Sequence, residues 1–442
     1  MNILIITDEV WNDTLYSNNV LTNWFNGLPV NIANLYLASG TPDNPCCNKY
    51  FQITDRMMIN SFFTKKEAGR DISRGQDNPS NREESVNISG EENSIILDFL
   101  RDHPLEIFRL IKDVLWMKGK INTRNLENFI REFKPDIVFS LRMASLKVLK
   151  IEGLVRKLTK APMVCFTGDD EYTLKQLRFS IIFWLRRILL HHELKESAKS
   201  YSKYYTLSAK QAQLYKRVFH LDTKVIMKCK NINEYYKTEE VNKPIRLIYA
   251  GRLYCNRYKT LNLIKEALIR INRNQIEMIL DIYTKDKISR VKKNKIHDGI
   301  NAVIHESVST KKLEEIYKAG DIALHVESFD MKMRMLTRYS FSTKIVDCLA
   351  STCSVIAIGP KNNAGIQYLK DKNSAICITN PNTIEKTLRS ILNNPKVIMK
   401  YQKRAYATVK KYHNPMVVQG DLIKDFEKVI RDHSALGKNY SR

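Results

Sequence analysis

From residue 321 the chain reads Asp-Ile-Ala-Leu-His-Val-Glu-Ser-Phe-Asp330, then Ser340-Phe-Ser-Thr-Lys-Ile-Val-Asp-Cys-Leu-Ala350 and Ser354-Val-Ile-Ala-Ile-Gly-Pro360. Ile322, Ala323, Leu324 and Val326 form an apolar run that suits a strand of a parallel sheet covered on both faces. A sheet of that kind needs crossover helices, so this one segment predicts a βαβ architecture. Where the strand stops, Glu327, Ser328 and Asp330 gather at its carboxyl end, the edge at which open α/β sheets bind ligands. Ser342 or Thr343 is expected to cap a helix starting at Lys344, leaving backbone N–H groups and the positive dipole end for an anion. Asp347 sits one turn further on, placed to accept hydrogen bonds from a sugar hydroxyl. A ligand that is part phosphate and part polyol fits this arrangement.

The rest of the chain carries the same rhythm. Strands are predicted at Ile3–Ile6, Ile32–Leu37, Ile137–Ser140, Met163–Phe166 and Tyr204–Leu207. A polar stretch, Lys237-Thr-Glu-Glu-Val-Asn-Lys-Pro244, then precedes a second series at Ile245–Ala250, Met278–Tyr283, Ala302–His305, Ile322–Val326 and Val355–Ile358. Helices are predicted between or after them, among them Thr310–Ala319 and Thr383–Leu392. The expected fold class is therefore α/β, with two doubly wound, Rossmann-like domains. Their expected bounds are residues 1–237 and 238–414, with a final helical segment at 415–442. The stretch from about residue 65 to 93 is rich in Ser, Asn, Gly and Glu and is expected to be a mobile loop without an element.

A chain of 442 residues has room for two cores of this size, and its 43% hydrophobic content is ordinary for a globular protein. The net charge of +25 is not ordinary and favours an anionic partner: nucleic acid, an acidic lipid surface or a phosphorylated substrate. The eight cysteines include no CxxC pair, and Cys165, Cys348, Cys353 and Cys377 sit in apolar runs. Neither zinc nor a disulfide framework is indicated, which suits a reducing cytoplasm. The first strand begins at the amino terminus without a basic leader, and no apolar run approaches the roughly 18 residues needed to span a bilayer.

Two further segments carry candidate chemistry. Gly251-Arg-Leu253 follows a predicted strand directly, with Asn256, Arg257 and Lys259 in the loop and a helix expected from about Leu261. A glycine there lets a phosphate approach the backbone, and the flanking cations supply charge-assisted hydrogen bonds. Alone, the pattern equally describes a surface loop with basic neighbours. Thr167-Gly-Asp-Asp-Glu171 places three acids at the end of another strand, where they could bind a metal, act as a base or cap the next helix. His325, within its strand, reads as a satisfied core histidine.

The segment around Glu327 resembles the carboxyl-terminal donor site of GT-B glycosyltransferases, above all the retaining group that carries a paired-acid motif (family 4-like, of the bacterial surface-polysaccharide type). The resemblance covers residues 245–392 well and the first half mainly in layout. It implies two domains facing a cleft, with the last helix crossing back to the first domain. It also implies a hexosyltransferase that moves a sugar from a nucleotide-sugar donor to a lipid-linked or other saccharide acceptor, with retention, without a metal and without a further cofactor. Glu327 matches the first acid, near the transferred sugar. Asp347 stands for the second, on the nucleotide ribose, after an insertion of roughly Met331 to Tyr339 that spaces the two by twenty residues. Arg252 and Lys259 match the diphosphate-holding cations by position, with Arg257 competing for either role. Ser342, Thr343 and Lys344 complete the donor side, and Gly365 is placed to add backbone N–H groups. On the acceptor side the resemblance points to Asn18 and Asp169, although Asn18 also fits a plain N-cap.

Leu177–Leu190 and Leu105–Trp116 are apolar stripes with Lys and Arg beside them. Each fits either a core helix with a cationic rim or a helix lying on an anionic membrane surface. Two other functions compete with sugar transfer. A nucleotide-sugar epimerase of the same fold requires catalytic acids and a histidine that the sequence does not place. A basic nucleic-acid-binding protein fits the charge, but no zinc finger, helix-turn-helix or aromatic RNA-binding signature accompanies it, so no nucleic-acid partner is expected. A dinucleotide-dependent oxidoreductase is disfavoured because GxGxxG is missing after the first strand.

Overall fold

The computed structural model describes residues 1–15, 19–64, 66–73, 106–142, 145–232 and 240–439. The chain divides into two compact units, Met1–Ile226 with Asp421–Arg442, and Met227–Gly420.

Unit 1 is built on an eight-stranded sheet with the order β4-β3-β2-β1-β5-β6-β7-β8. Its strands are Asn2–Thr7 (β1), Asn31–Tyr36 (β2), Lys49–Gln52 (β3), Arg70–Ser73 (β4), Ile137–Arg142 (β5), Met163–Thr167 (β6), Lys203–Thr206 (β7) and Thr223–Val225 (β8). All pairings are parallel except β3 with β4. The stretch from residue 65 to 93, expected to hold no element, thus contributes an edge strand, while residues 65 and 74–93 lie outside the described set. The helices of this unit are Val20–Phe25 (α1), Asp55–Phe63 (α2), Glu106–Lys118 (α3), Thr123–Phe133 (α4), Leu146–Leu158 (α5), Ile181–Ala198 (α6) and Ala209–Phe219 (α7). Fully buried residues such as Leu4, Leu35, Phe51, Leu126 and Val138 form the core between sheet and helices.

Unit 2 holds the six-stranded, all-parallel sheet β11-β10-β9-β12-β13-β14. Its strands are Ile245–Ala250 (β9), Met278–Thr284 (β10), Ala302–Glu306 (β11), Ile322–Val326 (β12), Ser354–Ile358 (β13) and Ile376–Ile378 (β14). Its helices are Arg257–Ile271 (α8), Arg290–Ile296 (α9), Thr310–Ala319 (α10), Met331–Thr337 (α11), Lys344–Leu349 (α12), Ala364–Asp371 (α13), Ile384–Asn393 (α14) and Lys396–Tyr412 (α15). Every residue of β12 and β13 is buried, which accounts for their unbroken apolar pattern.

The last helix, Pro415–Asn439 (α16), contributes its residues from Asp421 onward to unit 1. There Phe426 packs on Phe139 and Tyr205, with ring centroids 5.4 and 6.0 Å away. Asp425 takes hydrogen bonds from Lys203 Nζ at 2.8 Å and Tyr205 Oη at 2.5 Å.

Candidate functional site

In unit 2 the strand order 3-2-1-4-5-6 reverses its direction of growth between β9 and β12. The loops leaving these two strands therefore diverge and open a crevice at their carboxyl ends, the usual ligand position in doubly wound sheets. Gly251 follows β9 and Glu327 follows β12, so the fold brings together two segments that lie 76 residues apart in sequence (327 − 251).

Glu327 is 3% exposed and held from several sides. Its N–H donates to the Ile358 carbonyl at 2.8 Å, and its own carbonyl accepts from Thr260 Oγ1 at 2.9 Å. Arg257 Nη2 donates to Glu327 Oε1 at 2.8 Å, while the guanidinium lies 4.7 Å from the Tyr254 ring centroid. Burial works against the Arg257 charge, but Glu327 and Tyr249 outweigh it and hold the guanidinium more firmly protonated than usual. A Cβ at Gly359 would lie 2.8 Å from Glu327 Cβ, so the bare backbone there makes room for the acid. Arg257 can reach Glu327 because helix α8 starts at Arg257 and not near Leu261 as expected. Cys255 and Asn256 both take left-handed backbone angles, φ 56° and 58°, and turn the chain into the helix early.

Lys344 stands against Gly251. A Cβ on that glycine would lie 3.0 Å from Lys344 Nζ and 3.1 Å from Tyr249 Oη, so a side chain there would push the ammonium aside by a few tenths of an ångström. Burial, then the nearby Arg257 charge, push the Lys344 ammonium down to about 8. Among the described residues it has no hydrogen-bond or ion-pair partner. His325 lies below, 5% exposed, its Nε2 3.6 Å from Glu327 Oε1. It is not the satisfied core histidine expected, for Nε2 makes no hydrogen bond. Burial, then Arg257 and Lys344, push it down to about 3 and keep it neutral.

The remaining candidates form a rim with carboxylate partners. Arg252 Nε donates to Asp286 Oδ1 at 3.1 Å, and Asp286 also accepts from the Leu253 N–H at 2.6 Å. Lys259 Nζ and Asn256 Nδ2 both donate to Asp330 Oδ2, at 2.8 and 2.7 Å. Asp347 receives Lys228 Nζ on both oxygens, at 2.9 and 3.0 Å, with Lys230 Nζ 4.0 Å from Oδ1. Lys228 and Lys230 were not visible as site residues in the sequence. They lie more than a hundred residues from Asp347, with no motif around them.

Three expectations at this site need correction. Neither Ser342 nor Thr343 caps α12: Thr343 has helical angles, φ −59° and ψ −21°, and its side chain makes no capping bond. The Ile345 and Val346 N–H groups, expected to be open to an anion, donate to the Ser342 and Thr343 carbonyls at 3.0 and 3.1 Å, and the positive charge at this place is that of Lys344. The Gly365 N–H is also taken, by Asn363 Oδ1 at 2.9 Å, because Asn363 caps α13.

In unit 1, Asn18 lies outside the described residues. Asp169 is exposed at the end of β6, but its two acidic neighbours are committed to structure. Asp170 accepts from the Thr173 N–H at 2.9 Å and lies 3.8 Å from Arg187 Nη2. Glu171 is buried 3.8 Å from Arg142 Nε, and burial raises its carboxyl to about 7. The helix that follows, α6, is capped by Ser180. Among the described residues no three His, Cys, Asp or Glu side chains are placed to hold a metal ion.

No family model matches the chain, and no curated protein matches it in sequence. Solved structures do match. A sucrose-phosphate synthase from Thermosynechococcus elongatus superimposes with a TM-score of 0.62 over 98% of this chain and 100% of its own, at 12% identity. Anabaena HepE in complex with UDP and glucose gives 0.59 over 97% and 100%, at 10% identity. The fold is GT-B. A trehalose-6-phosphate synthase from work on glycosyl transfer with retention gives 0.56 over 96% and 99%, at 10% identity. At these identities the likeness is one of fold alone.

Proposed function

We propose that this chain is a glycosyltransferase that takes a hexosyl group from a UDP-sugar bound in the unit 2 crevice and passes it, with retention, to a saccharide acceptor. The observation that carries the reading is the Lys344 ammonium, without a partner, seated on Gly251 beside the buried Arg257–Glu327 pair. A cation in that state fits an incoming anion, and Glu327 next to it fits a polyol. The choice of UDP is supported by HepE, solved with UDP and glucose, and retention by the work on trehalose-6-phosphate synthase.

In the reaction the bond from the anomeric carbon to the β-phosphate oxygen breaks, and its electron pair leaves with UDP. The acceptor hydroxyl oxygen bonds to the same carbon, and its proton passes to the departing phosphate. The main electrostatic demand is the charge growing on that phosphate, which Lys344 meets and which Arg252 and Lys259 share from the rim. Glu327, oriented by Arg257 and Thr260, contacts the sugar near the reacting carbon. Asp347, oriented by Lys228, accepts from the ribose hydroxyls. No residue of this chain is needed as a general base, and no metal is required. Asp169 and Asn18 serve the acceptor side. The acceptor is a lipid-linked saccharide of capsule, O-antigen or exopolysaccharide synthesis, met by a cytoplasmic enzyme at the inner face of the membrane.

The test is incubation with UDP-glucose, UDP-galactose and UDP-N-acetylglucosamine, with and without saccharide acceptors, followed by NMR of the products. Expected are UDP release that an acceptor accelerates and a product with the donor's anomeric configuration. Inverted product would refute retention, an epimerised sugar formed without acceptor would indicate the epimerase, and no turnover of any donor would remove the reading.

A further inference from the structure

His413, just past the end of α15, is wholly buried in unit 2, and the transfer chemistry makes no use of it. Its Nδ1 lies 2.9 Å from the Lys228 carbonyl and its Nε2 2.7 Å from Tyr368 Oη. A carbonyl can only accept, so Nδ1 carries the proton and Nε2 accepts from the Tyr368 hydroxyl. Burial pushes the imidazole down to about 4 and keeps it neutral in this tautomer. The backbone adds a third bond, from the Lys230 N–H to the His413 carbonyl at 2.9 Å. Side chain and backbone of one residue thus hold the stretch from Lys228 to Lys230, which belongs to no helix or strand.

That stretch sends two ammonium groups towards one carboxylate. Lys228 Nζ donates to both oxygens of Asp347, at 2.9 and 3.0 Å, and Lys230 Nζ lies 3.2 Å from Glu314 Oε1 and 4.0 Å from Asp347 Oδ1. The Lys228 side chain is 7% exposed and Asp347 29%, so the acid is the partner a ligand can reach. A lysine stem is flexible, and it delivers its ammonium to one place only when its backbone is fixed. At the other end, the Tyr368 ring on α13 packs edge-on against buried Phe341, with centroids 5.2 Å apart, in the loop that leads to Lys344. A continuous line of contacts therefore runs from α13 through His413 and Lys228 to Asp347.

We propose that His413 and Tyr368 are positioning residues for ribose recognition: they fix Lys228, which in turn presents Asp347 to the nucleotide's ribose hydroxyls. This role rests on the donor reading above and assigns to it two residues outside the crevice. A clamp that served stability alone would lower the melting temperature and leave nucleotide preference untouched.

The test is calorimetric titration of UDP, 2′-deoxy-UDP and inorganic diphosphate into wild type, His413→Phe, His413→Asn and Tyr368→Phe. Wild type should prefer UDP to its deoxy analogue by roughly tenfold, the effect of one hydrogen bond to a charged group. His413→Phe fills the ring's space without its hydrogen bonds and should cut this preference to about twofold or less, with inorganic diphosphate bound as before. In His413→Asn the amide nitrogen takes the place of Nδ1, keeps the bond to Lys228 and should retain most of the preference. Tyr368→Phe keeps the ring on Phe341 and should lose about threefold of the preference, which decides the matter should His413→Phe not fold. With Asp347→Asn already in place, His413→Phe should cost UDP no further affinity, because both act through one contact. Full preference for UDP in folded His413→Phe, or in Tyr368→Phe, overturns the inference and leaves the donor reading standing. So does a wild type that binds both nucleotides equally. A wild type that binds no nucleoside diphosphate removes the donor reading and this role with it.

Discussion

Glu327→Ala should lose turnover by about a hundredfold or more and destabilise the protein by about 3–5 kcal/mol. The stability loss follows from burial. Glu327 and Arg257 have side chains only 4% and 9% exposed, and removing the acid leaves a buried guanidinium without its carboxylate. Against a total stability of about 5–15 kcal/mol for a typical domain, that loss is severe. Glu327→Gln separates the two effects, since the amide oxygen can still accept from Arg257 and the volume is kept. Its stability should lie much closer to wild type while turnover remains low, as read by chemical denaturation alongside UDP release. A glutamine variant with normal turnover would remove Glu327 from the chemistry and leave it a structural acid.

Lys344→Met is expected to weaken UDP binding by roughly 10- to 100-fold, the span of a hydrogen bond to a charged group, about 1.5–3 kcal/mol. Its pH dependence is more diagnostic. The folded-state value near 8 is below the ordinary lysine value of 10.5, so between these the unfolded chain binds more protons and stability rises with pH. The cost of burying the charge is fully present below about pH 8 and is relieved towards pH 10.5. UDP affinity should move the opposite way, falling as pH rises above 8, because the phosphate needs the ammonium. The terminal phosphate titrates near pH 6 and lies outside this window. Lys344→Met should flatten both trends, as measured by calorimetry and denaturant unfolding from pH 7 to 10. A wild-type UDP affinity that stays constant across this range would separate Lys344 from the phosphate.

Legibility in the sequence followed burial. β12 and β13 could be read because both faces of each strand are covered, leaving no room for polar residues. β4 could not, because Arg70-Asp-Ile-Ser73 is an edge strand with polar side chains and one neighbour. The short strands β3, β8 and β14 give too few residues for a period to show. At the site, Gly251 and Glu327 were legible because each ends a strand. The early start of α8 was not, since nothing in Cys255-Asn256 announces two left-handed residues. A lysine opening a short helix reads as solvated, whereas Lys344 is half-buried against a glycine 93 positions earlier (344 − 251). Periodicity marked α3 and α6 as amphipathic but carries no information on whether an apolar stripe is covered.

The central claim is that the crevice between β9 and β12 binds a nucleoside diphosphate through Lys344. Its most direct test is thermal unfolding of wild type and Lys344→Met with UDP, UDP-sugars and, as competitors, duplex and single-stranded DNA at matched salt. At a hundred times its dissociation constant a ligand adds about 2.7 kcal/mol, which shifts the transition visibly. Wild type should be stabilised by UDP even with DNA present, and Lys344→Met should gain only about 0.4–1.4 kcal/mol at the same concentrations. A wild-type protein indifferent to every nucleoside diphosphate, yet stabilised by DNA in a salt-sensitive way, would contradict the claim and make its +25 charge the footprint of a nucleic-acid partner.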